Sequence, residues 1–360
     1  MNNNNRTLVL VTGASGYVAS HCVKLLLSEG YLVRGTVRSL SNPKKVGPIK
    51  KLDVDGRLEL VEANLLQEDG WQSAVRGCDY VLHVASPFPI VSTEETIKTA
   101  IDGTLNVLKA CQNEASVKKV VLTSSCAAVN EGNDPDRIFD EGSWTNTRSS
   151  QVDFYAKSKT LAEKAAWDFV ANIQDGNKFK LTTLNPTLIV GPPLIDDDQG
   201  TSITLIRRFL NPWEMPGVPG VSLALVDVRD VAKAHIEAMR RPETDGERIL
   251  CTSQPSFWFR DFARILGKEF RRQGYWVPLI QVPYAVVYIF SFFDAQAASV
   301  LHRIGPEVKF SNKKAKRLLG LEFRDPAESI VEMTYHLIER GIIKKKSGYT
   351  GMPDKYKMAL

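Results

Sequence analysis

The sequence predicts an α/β fold: a doubly wound parallel sheet with helices on both faces, joined to a smaller, discontinuous C-terminal domain. Three observations predict it. Short apolar runs alternate with longer runs of helical spacing through the first half of the chain, the pattern of parallel βαβ units. The first unit carries a glycine-punctuated turn, Thr12-Gly13-Ala14-Ser15-Gly16-Tyr17-Val18-Ala19, between Leu8-Val9-Leu10-Val11 and the helical run His21 to Glu29. The length, 360 residues, exceeds the ~250–300 at which single cores stop growing, so one large or two intimate domains are expected.

The elements follow in order. Strands are expected at Leu8–Thr12, Leu32–Val37, Leu58–Glu62, Tyr80–Val84, Lys119–Thr123 and Leu181–Leu184. Helices are expected at Tyr17–Glu29, Gly70–Val75, Thr96–Glu114 and Phe154–Ala171. In the third of these, Ile97, Ile101, Leu105 and Leu108 form one stripe at helical spacing. After Asn185-Pro186 the pattern changes. Gly191-Pro192-Pro193 and the stretch Asn211 to Gly220 are loops dense in helix and strand breakers. Leu223–Val226, Val228–Met239 and Arg248–Thr252 read as strand, helix and strand. Helices resume at Phe259–Phe270, near Tyr284–Leu301, at Asn312–Leu318 and at Pro326–Arg340. Residues 1–188 therefore read as the first domain, with 222–253 returning to it. Residues 189–221 and 254–343 read as the second, and 344–360 as a flexible tail.

Composition excludes several classes. Hydrophobic residues at 43% and charged residues at 24% are ordinary for a globular protein. A net charge of +5 with only short lysine runs, such as Lys344-Lys345-Lys346, does not suggest a nucleic-acid partner. The five cysteines are scattered, odd in number and without metal spacing, so free thiols in a reducing compartment are expected. The polar start, Met1 to Arg6, has no apolar segment of the secretory kind; a cytoplasmic location is expected. Val277 to Phe293 carries no charge. It falls just short of the ~18 apolar residues that suggest a membrane span, and Pro278 and Pro283 interrupt it. A buried helix starting near Pro283 is the expectation, and membrane contact is not.

Three clusters carry chemistry. In the glycine turn, Gly13 allows a tight turn, Gly16 a close backbone approach to a pyrophosphate, and Ala19 close helix–strand packing. The helix N-terminus behind it offers unpaired N–H groups and the positive end of a dipole to phosphates. The next strand ends at Arg38, where an NAD site carries an acidic residue and an NADP site an arginine. The second cluster is Tyr155 and Lys159, four apart and so neighbours on one helix face. Of ten tyrosines, only Tyr155 has lysine at the fourth position on. With an unperturbed pKa of ~10, tyrosine needs a nearby cation to work as an acid–base group at neutral pH, and Lys159 supplies one. The third is Thr123-Ser124-Ser125 at a strand's carboxyl end. A serine there faces the crevice and can hydrogen-bond an oxygen on which charge builds, or it can simply cap the strand.

Together these segments resemble the extended short-chain dehydrogenase/reductases of the NAD-dependent epimerase/dehydratase superfamily, in the branch of dihydroflavonol reductases and fungal carbonyl reductases. The resemblance runs from about Thr7 to about Gly341. Besides the motifs above it rests on His83-Val84-Ala85-Ser86-Pro87, Asp102-Gly103-Thr104, Tyr155 to Trp167, Asn185-Pro186 with Gly191-Pro192, and Val226 to Ala232. It implies a Rossmann fold and an NADPH-dependent carbonyl reductase. By position it implies a catalytic Ser125, Tyr155 and Lys159, with Tyr155 as general acid. It implies cofactor contacts at Thr12, Gly13, Ser15, Gly16, Tyr17, Val18, Asn64, Leu65, Val84, Ala85, Ser86, Thr104, Pro186 and Leu188. Arg38 and Lys45 match the residues that meet the 2′-phosphate. Ser86, Phe88 and Asn130 fall where substrate is held. Two departures stand out. Asn64 replaces the usual aspartate near the adenine. The cinnamoyl-CoA reductase signature before the catalytic tyrosine is missing, since this chain reads Gln151-Val152-Asp153-Phe154.

The expected partner is a small-molecule carbonyl substrate, bulky or apolar, since Phe88, Ile90, Trp213, Met215, Trp258 and Phe259 lie in breaker-rich stretches near the crevice. Two other readings remain open: a hydroxysteroid or sterol dehydrogenase of the same superfamily, and a non-catalytic NADPH-sensing protein. Monomer and homodimer are both open, and no metal is expected.

Overall fold

The structure, a computed structural model, describes residues 3–86, 92–174, 176–195 and 200–357. Its helices are α1 (Tyr17–Ser28), α2 (Pro43–Lys50), α3 (Trp71–Val75), α4 (Glu94–Gln112), α5 (Phe154–Ala171) and α6 (Thr201–Phe209). They continue with α7 (Val228–Arg240), α8 (Phe259–Phe270), α9 (Tyr284–Phe290), α10 (Ala295–Val300), α11 (Lys313–Leu319) and α12 (Pro326–Glu339). The strands are β1 (Leu8–Val11), β2 (Leu32–Val37), β3 (Leu58–Glu62), β4 (Tyr80–His83), β5 (Lys119–Thr123), β6 (Ile138–Phe139) and β7 (Lys180–Pro186). They end with β8 (Leu188–Val190), β9 (Ser222–Leu223), β10 (Leu225–Asp227), β11 (Arg248–Cys251), β12 (Phe257–Trp258) and β13 (Lys309–Phe310).

Seven strands form one parallel sheet in the order β11-β7-β5-β4-β1-β2-β3. The chain order reverses between β1 and β4, and in such sheets ligands sit outside the carboxyl ends of the strands at that point. The apolar runs form strands because both faces are covered. Along β1, Val9 and Val11 join a core beneath α1 and α7, whereas Leu10 points the other way into a core with Trp71, Val107 and Leu108. That alternation is the two-residue period of a strand. Ala315 and Leu319 of α11 also join the first of these cores.

A third core lies apart from the sheet. It joins Phe209 of α6, Phe259, Phe262 and Phe270 of α8, and Ile330 and Tyr335 of α12. Phe209 and Phe262 stack with centroids 5.5 Å apart and planes 10° apart. Short pairs knit the loops around it: β8 with β10 in parallel, and β9 with β12 antiparallel. β13 pairs in parallel with β6.

Several expectations change. α2 and α6 were not expected. Asn42 caps α2 by accepting from the Lys45 N–H, and Pro43 opens it, an arrangement suited to a first turn. The long helix expected at Tyr284–Leu301 is two. Asp294 breaks it, since its side chain accepts the Ala297 N–H and so starts α10, while also pairing with Arg208 at 2.7 Å. The helix starting after Pro283 exists, but it is not buried. Val287 is its one buried residue, whereas Tyr284, Val286, Tyr288 and Ile289 are exposed.

The expected flexible tail is also corrected for residues 344–357. Tyr356 is buried against Tyr335, centroids 5.8 Å apart, and the Tyr349 hydroxyl donates to Glu339 at 2.9 Å. Aromatic burial on α12 holds this stretch to the third core. Among the described residues no helix is long and apolar enough to cross a membrane.

Candidate active site

The glycine turn folds as a tight connection between β1 and α1. Gly13 has φ +64°, a left-handed conformation open mainly to glycine. A Cβ there would stand 3.0 Å from that of Ala85, so the β4 loop can come close only because the side chain is missing. The Gly13 N–H donates to Thr36 Oγ1 at 2.9 Å. Gly16 is the N-cap of α1 and no side chain caps the helix. Its first N–H groups therefore face the carboxyl edge of the sheet without a side-chain acceptor. The turn is anchored to the far loop as well: the Tyr17 hydroxyl donates to the Gly191 carbonyl at 2.6 Å.

Thr12 binds the turn to the β4 loop. Its Oγ1 accepts from the Ala85 N–H at 2.9 Å and lies 2.9 Å from His83 Nδ1. Burial, with Lys159 nearby, pushes His83 down to about 3, so this imidazole is neutral at physiological pH. Val84, Ala85 and Ser86 thus lie beside the turn. Arg38 directly follows β2 and is exposed, and among the described residues no ion pair engages it. Lys45 is half-buried on α2. Asn64 follows β3, where its Oδ1 accepts the Leu66 N–H at 3.1 Å. Gly103 packs so close to Leu65 that a Cβ there would come within 3.0 Å of the Leu65 Cβ, and Thr104 is buried one residue on. This cradle fits a dinucleotide: uncapped helix N–H groups, a glycine that cannot take a side chain, and an exposed arginine at the end of the second strand.

Ser125, Tyr155 and Lys159 come together at the next strand ends. Ser125 follows β5 and accepts the Ala127 N–H at 3.2 Å, capping a short 3₁₀ turn. Tyr155 lies in the first turn of α5, whose N-cap is Asp153, accepting from the Ala156 N–H at 2.7 Å. The Lys159 Nζ lies 5.9 Å from the centre of the Tyr155 ring and donates to Ser86 Oγ at 2.8 Å. Burial pushes the Tyr155 phenol well above its usual value, and a hydrogen bond with Ser125 pulls the other way. Burial also lowers Lys159 to about 8, opposed by the Glu163 carboxylate. For Tyr155 the effect of burial outweighs that of the Ser125 hydrogen bond.

Glu163 was not anticipated. It lies one further turn along α5 from Lys159 and is buried. Its carboxylate accepts from Ser124 Oγ at 2.5 Å, Asn185 Nδ2 at 2.8 Å, Thr183 Oγ1 at 3.0 Å and Arg248 Nε at 2.6 Å. Asn185 Nδ2 also reaches the Ser125 carbonyl at 3.1 Å. The one signal in the sequence was spacing, since Tyr155, Lys159 and Glu163 stand four apart on one helix face. A second unanticipated contact closes the rim. Arg303 pairs with Glu131 at 3.0 Å and lies 3.8 Å from Asp153.

The expected substrate residues divide. Asn130 is half-buried, and its buried Oδ1 has no hydrogen-bond partner among the described residues. Pro186 ends β7 and Leu188 opens β8 beside it. Phe88 and Ile90 lie outside the described residues. Met215 and Phe259 belong to the third core, and Trp213 is exposed, lining a shallow pocket with Tyr275 and Lys344.

The parallel sheet with its glycine turn, and the serine–tyrosine–lysine set at the strand ends, define a Rossmann-type dinucleotide-binding oxidoreductase. Residues 9–251 match the model of the NAD dependent epimerase/dehydratase family, and the chain belongs to that family. It is 38% identical over 347 residues to a cinnamoyl-CoA reductase of Medicago truncatula, covering 92% of this chain and 96% of that one. It is 41% identical over 257 residues to tetraketide alpha-pyrone reductase 1 of Arabidopsis thaliana, covering 68% and 76%. Its structure is similar to that of yeast methylglyoxal/isovaleraldehyde reductase complexed with NADPH. There the TM-score is 0.75 and the identity 30%, over 94% of this chain and 100% of that one.

Proposed function

We propose that this protein is a carbonyl reductase that uses NADPH to reduce a ketone or aldehyde, with Tyr155 as the general acid. It is an NADP-dependent oxidoreductase, and its cofactor is NADPH. When bound, that cofactor supplies the hydride. The turn from Thr12 through Ser15, Gly16, Tyr17 and Val18 would hold its pyrophosphate, and Arg38 with Lys45 its 2′-phosphate. Asn64 and Leu65 would meet the adenine. Val84, Ala85, Ser86 and Thr104 would line its path, with Pro186 and Leu188 on the nicotinamide side.

The observation that carries the reading is the hydrogen bond between Ser125 and Tyr155 with Lys159 on the same helix face. A phenol held above its usual range stays protonated at neutral pH. It can therefore give its proton to an oxygen that gains charge. The Ser125 hydroxyl would donate to the same oxygen. Lys159, at about 8, is largely cationic at neutral pH and would stabilise the tyrosinate left behind. Asn130 Oδ1, buried without a partner, would accept a substrate hydroxyl. We assign the substrate to the crevice between the strand ends and the domain built on the third core. The free state of all five cysteines fits a cytoplasmic location.

The test is NADPH consumption by the purified protein over a panel of aldehydes and ketones, from short aldehydes to bulky aromatic ketones. Turnover that depends on the carbonyl compound supports the reading. NADPH binding without consumption across the panel would contradict it.

A further inference from the structure

We propose that the face carried by Trp276 to Phe293 docks this protein on an anionic lipid bilayer surface. Of the fifteen large apolar side chains exposed among the described residues, nine fall between Trp276 and Phe293. Phe293 is 85% exposed, Leu279 75% and Ile280 72%. Apolar patches of this kind on a globular surface mark contact with a partner or a membrane. The segment is not loosely attached. Val218 donates to the Ile280 carbonyl at 2.9 Å and Val282 to the Val218 carbonyl at 2.9 Å. Gly217 lets them approach, since a Cβ there would stand 2.5 Å from Val282. The fold thus holds these side chains outward.

Chemistry selects the occupant. No acidic residue occurs between Trp276 and Phe293. The next one, Asp294, is turned inward to Arg208 and the start of α10. Beside the patch, Trp213, Tyr275, Lys344 and Lys346 line one shallow pocket. Trp213 is exposed, as are Lys344 and Lys346, and Arg272 is exposed just before Tyr275. Tryptophan and tyrosine above an apolar surface with a cationic rim is the composition of an interfacial anchor. A second copy fits less well. A two-fold contact puts the same patch on both partners, so the Arg272, Lys344 and Lys346 cations of both copies would gather at one interface, with no acidic residue between Trp276 and Phe293 to offset them. Anionic headgroups complement them. The same chain runs on to Arg303, which holds the rim beside Tyr155 through Glu131 and Asp153.

The experiment is flotation of the full chain with vesicles of phosphatidylcholine alone and of an equimolar mixture with phosphatidylserine, at low and high salt. The expected result is flotation with the mixed vesicles that weakens with salt. Ile289→Asp with Phe293→Asp should abolish it. Lys344→Ala and Lys346→Ala should each lower the partition by about fivefold. Both positions are solvent-exposed, and NADPH binding by each variant verifies the fold. If the wild-type chain floats with neither vesicle, the proposal is overturned. It is equally overturned if sedimentation shows a dimer that the aspartate variant converts to monomer, because the face then belongs to a second copy.

Discussion

One amide joins Glu163 to Ser125. Asn185 Nδ2 donates to the Glu163 carboxylate at 2.8 Å and to the Ser125 carbonyl at 3.1 Å. The helix that carries Tyr155 and Lys159 is thereby tied to the strand end that carries the serine. Glu163 therefore positions a site it does not touch.

The Glu163→Gln variant tests that role. It keeps the size of the side chain and removes its charge, leaving the buried Arg248 without its ion pair. Loss of one partner of a buried pair destabilises by about 3–5 kcal/mol, which denaturant unfolding reads. A structural role alone would stop there. The positioning role also predicts that the pH limb assigned to Lys159 moves to lower pH, because the carboxylate that favours its protonated form is gone.

The pH dependence of the wild-type protein follows from Lys159. With its pKa near 8, the ammonium is lost as pH rises through that value. Reductase kcat/KM should therefore fall above about pH 8, and Lys159→Arg should move the fall upward or abolish it. The effect on stability has the opposite sign. The folded-state pKa lies below the unfolded value of ~10.4, so the unfolded chain binds more protons between the two. The penalty for burying the cation is full below about 8 and is relieved as pH climbs from there towards the unfolded value. Chemical unfolding across that window should show this term rising.

Arg38 is the proposed 2′-phosphate contact. It follows β2, exposed and outside any ion pair among the described residues, so its guanidinium is available to a 2′-phosphate. Hydrogen bonds to charged groups are worth about 1.5–3 kcal/mol, so Arg38→Ala should weaken NADPH binding by roughly 10- to 100-fold and leave NADH unchanged. An unaltered preference, measured by titration of both, removes Arg38 from that role.

Much of this architecture was legible because its signals are local. The bounds of α5 were read as Phe154–Ala171 and are so observed. β2, β3 and β5 match residue for residue, since apolar runs between turns encode strands directly. The spacing of Tyr155 and Lys159 likewise needs only one helix. What was not legible depends on distant chain. Glu163 meets Arg248 across 85 positions, and no local pattern pairs them. The Val277–Phe293 segment has the composition of a core helix, and composition alone does not tell that no layer covers it. Tyr356 lies in a polar stretch, and only the packing of Tyr335 shows why it is held.

In the proposed reaction Tyr155 delivers the proton. Tyr155→Phe removes one oxygen from a side chain whose helix is capped elsewhere, by Asp153. Steady-state turnover of a reducible carbonyl compound and NADPH affinity, measured on the same variant, decide whether it does. The expected result is a loss in kcat of about 10²–10⁴ with NADPH binding close to wild type. Turnover at the wild-type rate in Tyr155→Phe would contradict it.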